Sequence, residues 1–254
     1  MKYQLAKRLT HLAWSALSIA VLVGAWQIAA SFSDPRLLPG PGRVGATLVE
    51  AGLEGSLFTN IGITLARVLA SFILAMTIGT AIGIALGRVL RLNRFFDPWL
   101  ILFLNLPALV VVVLCYIWLG LTEAAAITAV AINKIPNVAV TLREGGRALD
   151  RDLLEMASAY RIGRWRTLRH VILPQLSPYF MGAIRSGLAL VWKIVLVVEL
   201  LGRSNGVGFV IGSAFQLFDV STILAYALAF VAVIQMIELF ILQPWERRLN
   251  QWRR

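Results

Sequence analysis

A chain of 254 residues that is 59% hydrophobic, only 15% charged and has a mean hydropathy of +0.77 is too apolar for a water-soluble domain, and predicts an integral membrane protein. The formal net charge of +11 does not call for nucleic acid as a partner, because basic residues at the cytoplasmic ends of membrane helices account for such an excess. The single cysteine, Cys115, excludes an intrachain disulfide, leaves the redox compartment unread, and lies in an apolar run that marks it as a small core residue.

Residues 1–36 read as an N-terminal tail and a first span. Lys2, Lys7 and Arg8 precede the apolar run Leu12–Phe32, which has about the length that crosses a bilayer core. That run is too long for a signal peptide and no convincing small-residue cleavage site follows it, so it is expected to be retained with its start in the cytoplasm. Trp14 and Trp26 suit the two interfaces. Leu37 to Val44, rich in Pro and Gly, opens a short outer helix that ends near Gly52.

The second predicted span, Val68–Gly87, carries Gly79, Gly83 and Gly87 at four-residue spacing, a small-residue face that lets another helix approach closely. Arg88, Arg91 and Arg94 follow on the inner side, then Phe96-Asp97-Pro98. A third span, Trp99–Leu119, is expected to be interrupted at Asn105-Leu106-Pro107, and a fourth, Ala124–Leu142, at Asn133-Lys134-Ile135-Pro136-Asn137. Proline inside a span frees a carbonyl and kinks the helix, which is tolerated where protein or a wet cavity satisfies the backbone.

Between the fourth and fifth spans lies a polar, Arg-rich insert, residues 143–175. Asp150 is a good N-cap, Asp152 and Glu155 place negative charge near a helix start, and Leu149, Leu153, Met156, Ala157 and Tyr160 recur at helical spacing. Arg161 follows the last turn, Gly163 stops the helix, and Arg164 to Val171 form a second helix that Pro174 is expected to end. The product is a helical hairpin outside the bilayer. Tethered between two spans, it could hardly place a recognition helix in a major groove, which argues against DNA; a plain surface loop against lipid headgroups is the blander alternative.

The fifth span, about Pro178–Leu201, includes Arg185, Lys193 and Glu199. The loop Gly202 to Gly208 leads into Phe209–Phe218, which is apolar but too short to cross and so is expected on the outer surface or as a re-entrant helix. The last span, Ile223–Leu242, contains Glu238, expected to pair with a basic residue near the inner face, and ends at Trp245-Glu246-Arg247-Arg248 and Trp252-Arg253-Arg254. The chain therefore reads as an all-α polytopic membrane protein with six transmembrane helices. The hairpin and both termini lie on the cytoplasmic side, because the basic residues crowd one face and only Arg36, Arg43 and Arg203 fall on the other.

Nothing resembling G-x(4)-G-K-[ST] occurs, and neither His11 nor His170 sits in a catalytic or metal-ligand pattern, so no catalytic residue, metal site or bound cofactor is expected in this chain. The outer loops are too short to enclose a solute. An energy source and a solute-capturing protein, if this is a pump, must come from other chains. Candidate pathway residues are the polar or amphipathic groups at membrane depth: Asn105, Asn133, Lys134, Trp192, Lys193 and Glu199. Each has a structural alternative: helix-to-helix hydrogen bonds for the asparagines, core packing for Trp192, an ion pair for Lys193 with a partner other than Glu199, and carbonyls freed by Pro107 or Pro136 for Lys134.

The insert also carries a family resemblance. Glu155, Ala157, Ile172, Leu173 and Pro174 fall within the pattern E-A-A-x(3)-G-x(9)-I-x-L-P of permease subunits of binding-protein-dependent ABC importers, with Met156 in place of the first Ala and Arg161 in place of the Gly. The chain from about Leu37 to its end resembles these permeases, and LLPGPGRV, FDP and ELLGRSNGVG are similar to the nitrate, sulfonate and taurine branch. The resemblance implies that Glu155, Met156, Ala157, Ser158, Tyr160, Arg161, Gly163, Leu173 and Pro174 form a coupling element docked on an ATP-binding subunit. It implies a second permease copy, two ATP-binding cassette subunits holding ATP and Mg, a periplasmic or lipid-anchored substrate-binding protein, and a bacterial inner membrane setting. Small anions or zwitterions are the solutes of that branch. An ATPase-independent secondary transporter or channel is the alternative, and a membrane enzyme lacks any catalytic pair.

Overall fold

A computed structural model describes residues 2–245. The side chains of Lys2, Lys7, Arg8 and His11, and the basic tail Arg247, Arg248, Arg253 and Arg254, lie outside the described residues. Among the described residues all regular structure is helical. The elements are α1 (Lys2–Ser31), α2 (Pro41–Leu53), α3 (Ser56–Arg88), α4 (Leu90–Asn105), α5 (Ala108–Leu119), α6 (Glu123–Arg147), α7 (Arg151–Ala159), α8 (Arg164–Thr167), α9 (Leu173–Gly202), α10 (Val207–Gln216) and α11 (Val220–Ile237). Two π-helical segments, Leu168–Ile172 and Glu238–Leu242, lead into α9 and extend α11.

The chain forms two compact units. The first comprises Met1–Thr59 and Val210–Ala232. In it, Trp26 Nε1 donates to the carbonyl of Pro39 at 3.1 Å, and Pro41 sits in the first turn of α2, where a missing amide costs nothing. The Ser56 and Tyr226 hydroxyls meet at 3.2 Å.

The second unit comprises Asn60–Phe209 and Val233–Arg254. Its interior contact between α3 and α6 is the one expected of the small-residue face: a Cβ at Gly83 would stand 2.6 Å from the Ala139 carbonyl, and one at Gly87 2.6 Å from the Arg143 carbonyl. Beside it, Asp97 of the FDP segment accepts from Arg143, which also donates to Asn93 Oδ1 at 3.2 Å.

Among the described residues, three helices, Ser56–Arg88, Glu123–Arg147 and Val220–Trp245, are long and apolar enough to cross a membrane, and the pair α4 and α5, bent by 95°, makes up to four. The bend falls at the expected break: Leu106, forced out of the α region by the following proline, has ψ 127°. The expected interruption of the fourth span does not occur. α6 runs unbroken from Glu123 to Arg147 with Pro136 inside, and Asn133 Nδ2 donates to the Ala129 carbonyl at 2.9 Å, so the asparagines bond back along their own helix. α3 likewise starts twelve residues before the expected Val68, at Ser56, because its polar residues Thr64 and Arg67 have partners inside the fold.

Candidate functional site

The insert is a hairpin pinned from behind. Asp150 accepts from the amides of Asp152 and Leu153 at 2.8 and 3.3 Å, capping α7, while its own amide donates to Gln175 Oε1 at 2.8 Å and ties the start of α7 to the first turn of α9. Leu149, Ile172 and Leu176 form a buried cluster with Leu154, Ile84 and Phe180 packed against it. Burial at about 1.5–3 kcal/mol per such side chain holds the hairpin to α3 and α9. Glu155 is exposed and makes no hydrogen bond or ion pair among the described residues, so Asp150 alone caps the helix start.

The outward face is apolar as well. Tyr160 and Trp165 are 77% and 71% exposed, and Met156, Leu153, Ile162 and Leu168 are exposed beside them. The apolar period predicts Ala157 on this same face; at 1% exposed it points into the fold. Ser158 is exposed.

Arg161 takes φ +50°, the left-handed conformation that favours glycine. The Ile162 amide donates to the Ala157 carbonyl at 2.8 Å and the Arg161 amide to the Ser158 carbonyl at 3.0 Å, the two bonds of a Schellman cap. The turn geometry that a glycine would serve is therefore kept with arginine in the position, and Gly163, at φ −57°, stands at the N-cap of α8 instead of ending α7. Pro174 does not end the second helix. The chain passes from α8 through the π-helical Leu168–Ile172 into α9, where Leu173 donates to the Leu168 carbonyl and Pro174 occupies the first turn. Widening to an i→i+5 bond and placing proline where its amide is dispensable remove the cost that predicted a terminus.

At the other end of α9, Glu199 lies in a cluster of partners distant in sequence. Its carboxylate, 0% exposed, accepts from Arg67 Nη1 at 2.7 Å, Thr64 Oγ1 at 2.9 Å and the Gly208 amide at 2.9 Å. Arg67 reaches Glu123 with Nε and Nη2 at 2.8 and 2.6 Å, the Asn205 carbonyl with Nη1 at 2.9 Å, and Asn205 Oδ1. Arg203 donates to Glu123 at 2.5 Å. Gly206, at φ +102°, donates to Asn60 Oδ1 at 2.7 Å, and a Cβ there would enter the Glu199 carboxylate. This clasp ties the 203–208 loop to α3, α6 and α9. Sequence reading missed Arg67, Thr64, Glu123 and Arg203; the signal available was that a carboxylate inside a span requires a partner, and Arg67 borders the second span.

Lys193 is exposed on α9 and lines a groove of about 300 Å³ with Arg185, Ala189, Trp192, Ile234 and Glu238. Arg185, Ala189 and Lys193 recur at four-residue spacing and so share one helix face. The expected pairing of Glu238 is not found: it faces the groove without an ion pair among the described residues. Lys134 is elsewhere, 1% exposed, its Cε so close to α9 that a Cβ at Gly187 would come within 2.8 Å. Its ammonium forms no hydrogen bond among the described residues, to carbonyls near Pro107 and Pro136 or to any other group. Asn105 donates to the Ile101 carbonyl at 2.7 Å. Trp192 and Lys193 are thus brought together, while Asn105, Asn133, Lys134 and Glu199 do not line their groove.

Residues 75–243 match the family described as the binding-protein-dependent transport system inner membrane component. The chain belongs to that family. The putative aliphatic sulfonates transport permease protein SsuC of Bacillus subtilis is 30% identical over 236 residues, covering 92% of this chain and 85% of the relative. The taurine transport system permease protein TauC of Escherichia coli is 27% identical over 92% of this chain and 88% of its own, and the bicarbonate transport system permease protein CmpB of Synechococcus elongatus 30% over 87% and 84%. A crystal structure of an amino acid ABC transporter with histidines shares the fold, with TM-score 0.56 and 22% identity over 79% of this chain and 97% of that one. The permease is accordingly an ABC transporter subunit that carries transport and not catalysis.

Proposed function

We propose that two copies of this permease form the pathway of an ATP-driven importer, with one ATP-binding subunit docked on each 150–174 hairpin. The observation that carries the reading is the hairpin itself: an element pinned on its inner side by Leu149, Ile172 and Leu176 that offers Met156, Tyr160 and Trp165 outward on a polar segment. Apolar side chains outside the bilayer call for a protein partner. The six spans are α1, α3, α4 with α5, α6, α9 and α11 with its extension, and both termini and the hairpin face the cytoplasm of a bacterial inner membrane. ATP and Mg belong to the docked subunits, and a separate substrate-binding protein delivers the solute. Co-expression with the ATP-binding subunit, followed by purification in mild detergent, tests the reading. A stable complex whose hydrolysis responds to the binding protein supports it; uptake in proteoliposomes without any ATPase would make the chain a secondary transporter or channel.

The solute is a small anion or zwitterion. The relatives are named for aliphatic sulfonates, taurine and bicarbonate, and Arg185 and Lys193 put two positive charges on the groove face of α9. In this reading Lys193, Trp192 and Arg185 belong to the pathway, whereas Glu199, held by three donors, ties down the loop.

A further inference from the structure

The second unit contains a larger pocket, of about 470 Å³, that the transport reading does not use. It is apolar throughout: Ala85 and Leu86 of α3, Leu92, Phe96, Trp99 and Phe103 of α4, and Pro136 of α6 are among its walls. The α4 residues recur at positions that put them on one face, and from Leu92 to Phe103 they extend about 16 Å along the helix, close to half of a ~30 Å hydrocarbon core. A single leaflet has that depth.

Two arginines flank the α3–α4 end of the pocket without lining it. Arg88 stands one turn beyond Ala85 at the end of α3, and Arg91 directly precedes Leu92. Both are exposed and neither makes an ion pair or hydrogen bond among the described residues. The nearby carboxylate, Asp97, is already held by Arg143. Because Gly87 packs against Arg143 and Gly146 at the end of α6, this end is the one from which the hairpin departs.

We propose that the pocket is a binding site for an anionic phospholipid of the hairpin-side leaflet, with one acyl chain against Trp99 and Phe103 and the headgroup phosphate on Arg88 and Arg91. An apolar slot one leaflet deep fits an acyl chain. Two guanidiniums on the α3–α4 turn beside that end supply the charge that selects an anionic headgroup over a zwitterionic one. The site rests on the chain's being a membrane permease and is independent of which solute it carries.

Trp99 makes the site observable. The full-length permease is reconstituted in vesicles of phosphatidylcholine containing a minor fraction of either brominated phosphatidylglycerol or brominated phosphatidylcholine, and the Trp99 component of quenching is obtained by difference from Trp99→Phe. The expected result is a preference of about thirty-fold for brominated phosphatidylglycerol, the order that two arginines confer on an anionic headgroup, abolished in R88Q/R91Q and retained in R88K/R91K. Native mass spectrometry of the detergent-purified wild-type permease gives a second readout that needs no variant: phosphatidylglycerol adducts should survive competition by phosphatidylcholine. Equal quenching by the two lipids would reduce the pocket to ordinary annular contact. Protection of Trp99 from both would mean that protein, such as a second copy of the chain, covers it. Either outcome overturns the proposal, as does ready displacement of phosphatidylglycerol by phosphatidylcholine.

Discussion

Arg67 and Glu199, separated by more than a hundred residues in sequence, meet at 2.7 Å in a place where neither has more than 5% of its side chain exposed. Removing one arm of such a pair leaves an uncompensated charge in a low dielectric, which costs about 3–5 kcal/mol. Arg67→Ala strands Glu199 and takes the main partner of Glu123, and should sharply lower the yield and melting temperature of purified permease. Glu199→Gln, which keeps an acceptor for Thr64 and Gly208, should cost clearly less. Equal melting temperatures for Arg67→Ala and wild type in detergent would show that the clasp is not a stabilising element.

Arg161 carries a conformational cost that glycine would not. A left-handed non-glycine residue costs roughly 1–2 kcal/mol, part of which glycine returns as unfolded-state entropy. Arg161→Gly should therefore leave the hairpin as stable or up to about 1 kcal/mol more stable, and Arg161→Val should destabilise it. Limited proteolysis at the exposed Arg164 and Arg166 reports this directly, with Arg161→Val cut faster than wild type.

The contrast between these two features shows what the chain discloses locally. The glycine face of α3 was legible because its spacing is a property of one helix, and the break at Leu106-Pro107 because the pre-proline restriction is a nearest-neighbour effect. The hairpin's first helix was legible from Asp150 and its apolar period. Pro136 and Pro174 misled: whether a proline ends a helix depends on how its neighbours satisfy the backbone, which tertiary packing and a π-turn decide. Helical spacing predicts Ala157 and Tyr160 on one apolar face, whereas packing of the helix against its support turns Ala157 inward and leaves Tyr160 outward. The partners of Glu199 could not be read from spacing at all, since Arg67 and Glu123 come from other helices.

Docking and folding should separate within the hairpin. Tyr160→Asp or Trp165→Asp changes an exposed side chain and should weaken binding of the ATP-binding subunit, measured by co-purification, without moving the melting temperature. Ala157→Asp places a charge where exposure is 1% and should destabilise the hairpin itself. A Tyr160→Asp/Trp165→Asp double variant that binds the ATPase normally would remove the outward face from the interface.

Sidedness follows from cysteine labelling, for which the native Cys115 is buried and gives little background. Ser33, Ser158 and Ser204 are all exposed. In intact cells, Ser33→Cys and Ser204→Cys should react with an impermeant maleimide and Ser158→Cys only after permeabilisation. Labelling of position 158 from outside would invert the arrangement.

Lys193 gives the sharpest test of the pathway. It is exposed on α9, makes no ion pair among the described residues, and shares a groove with Arg185 and Glu238. An ammonium facing lipid at mid-span costs about 2.5–3.5 kcal/mol on insertion scales, so its persistence there calls for water or a charged solute in the groove. Because α9 is continuous with the π-helical segment and α8, a displacement of the hairpin is transmitted to Lys193 along one helical run. Lys193→Met should lower uptake of an anionic or zwitterionic solute in proteoliposomes about ten-fold or more, with complex assembly and basal ATP hydrolysis intact and thermal stability unchanged or raised. Lys193→Arg, which keeps the charge, should retain most of the uptake. Normal uptake by Lys193→Met with a lowered melting temperature would assign the lysine to structure and take it off the pathway.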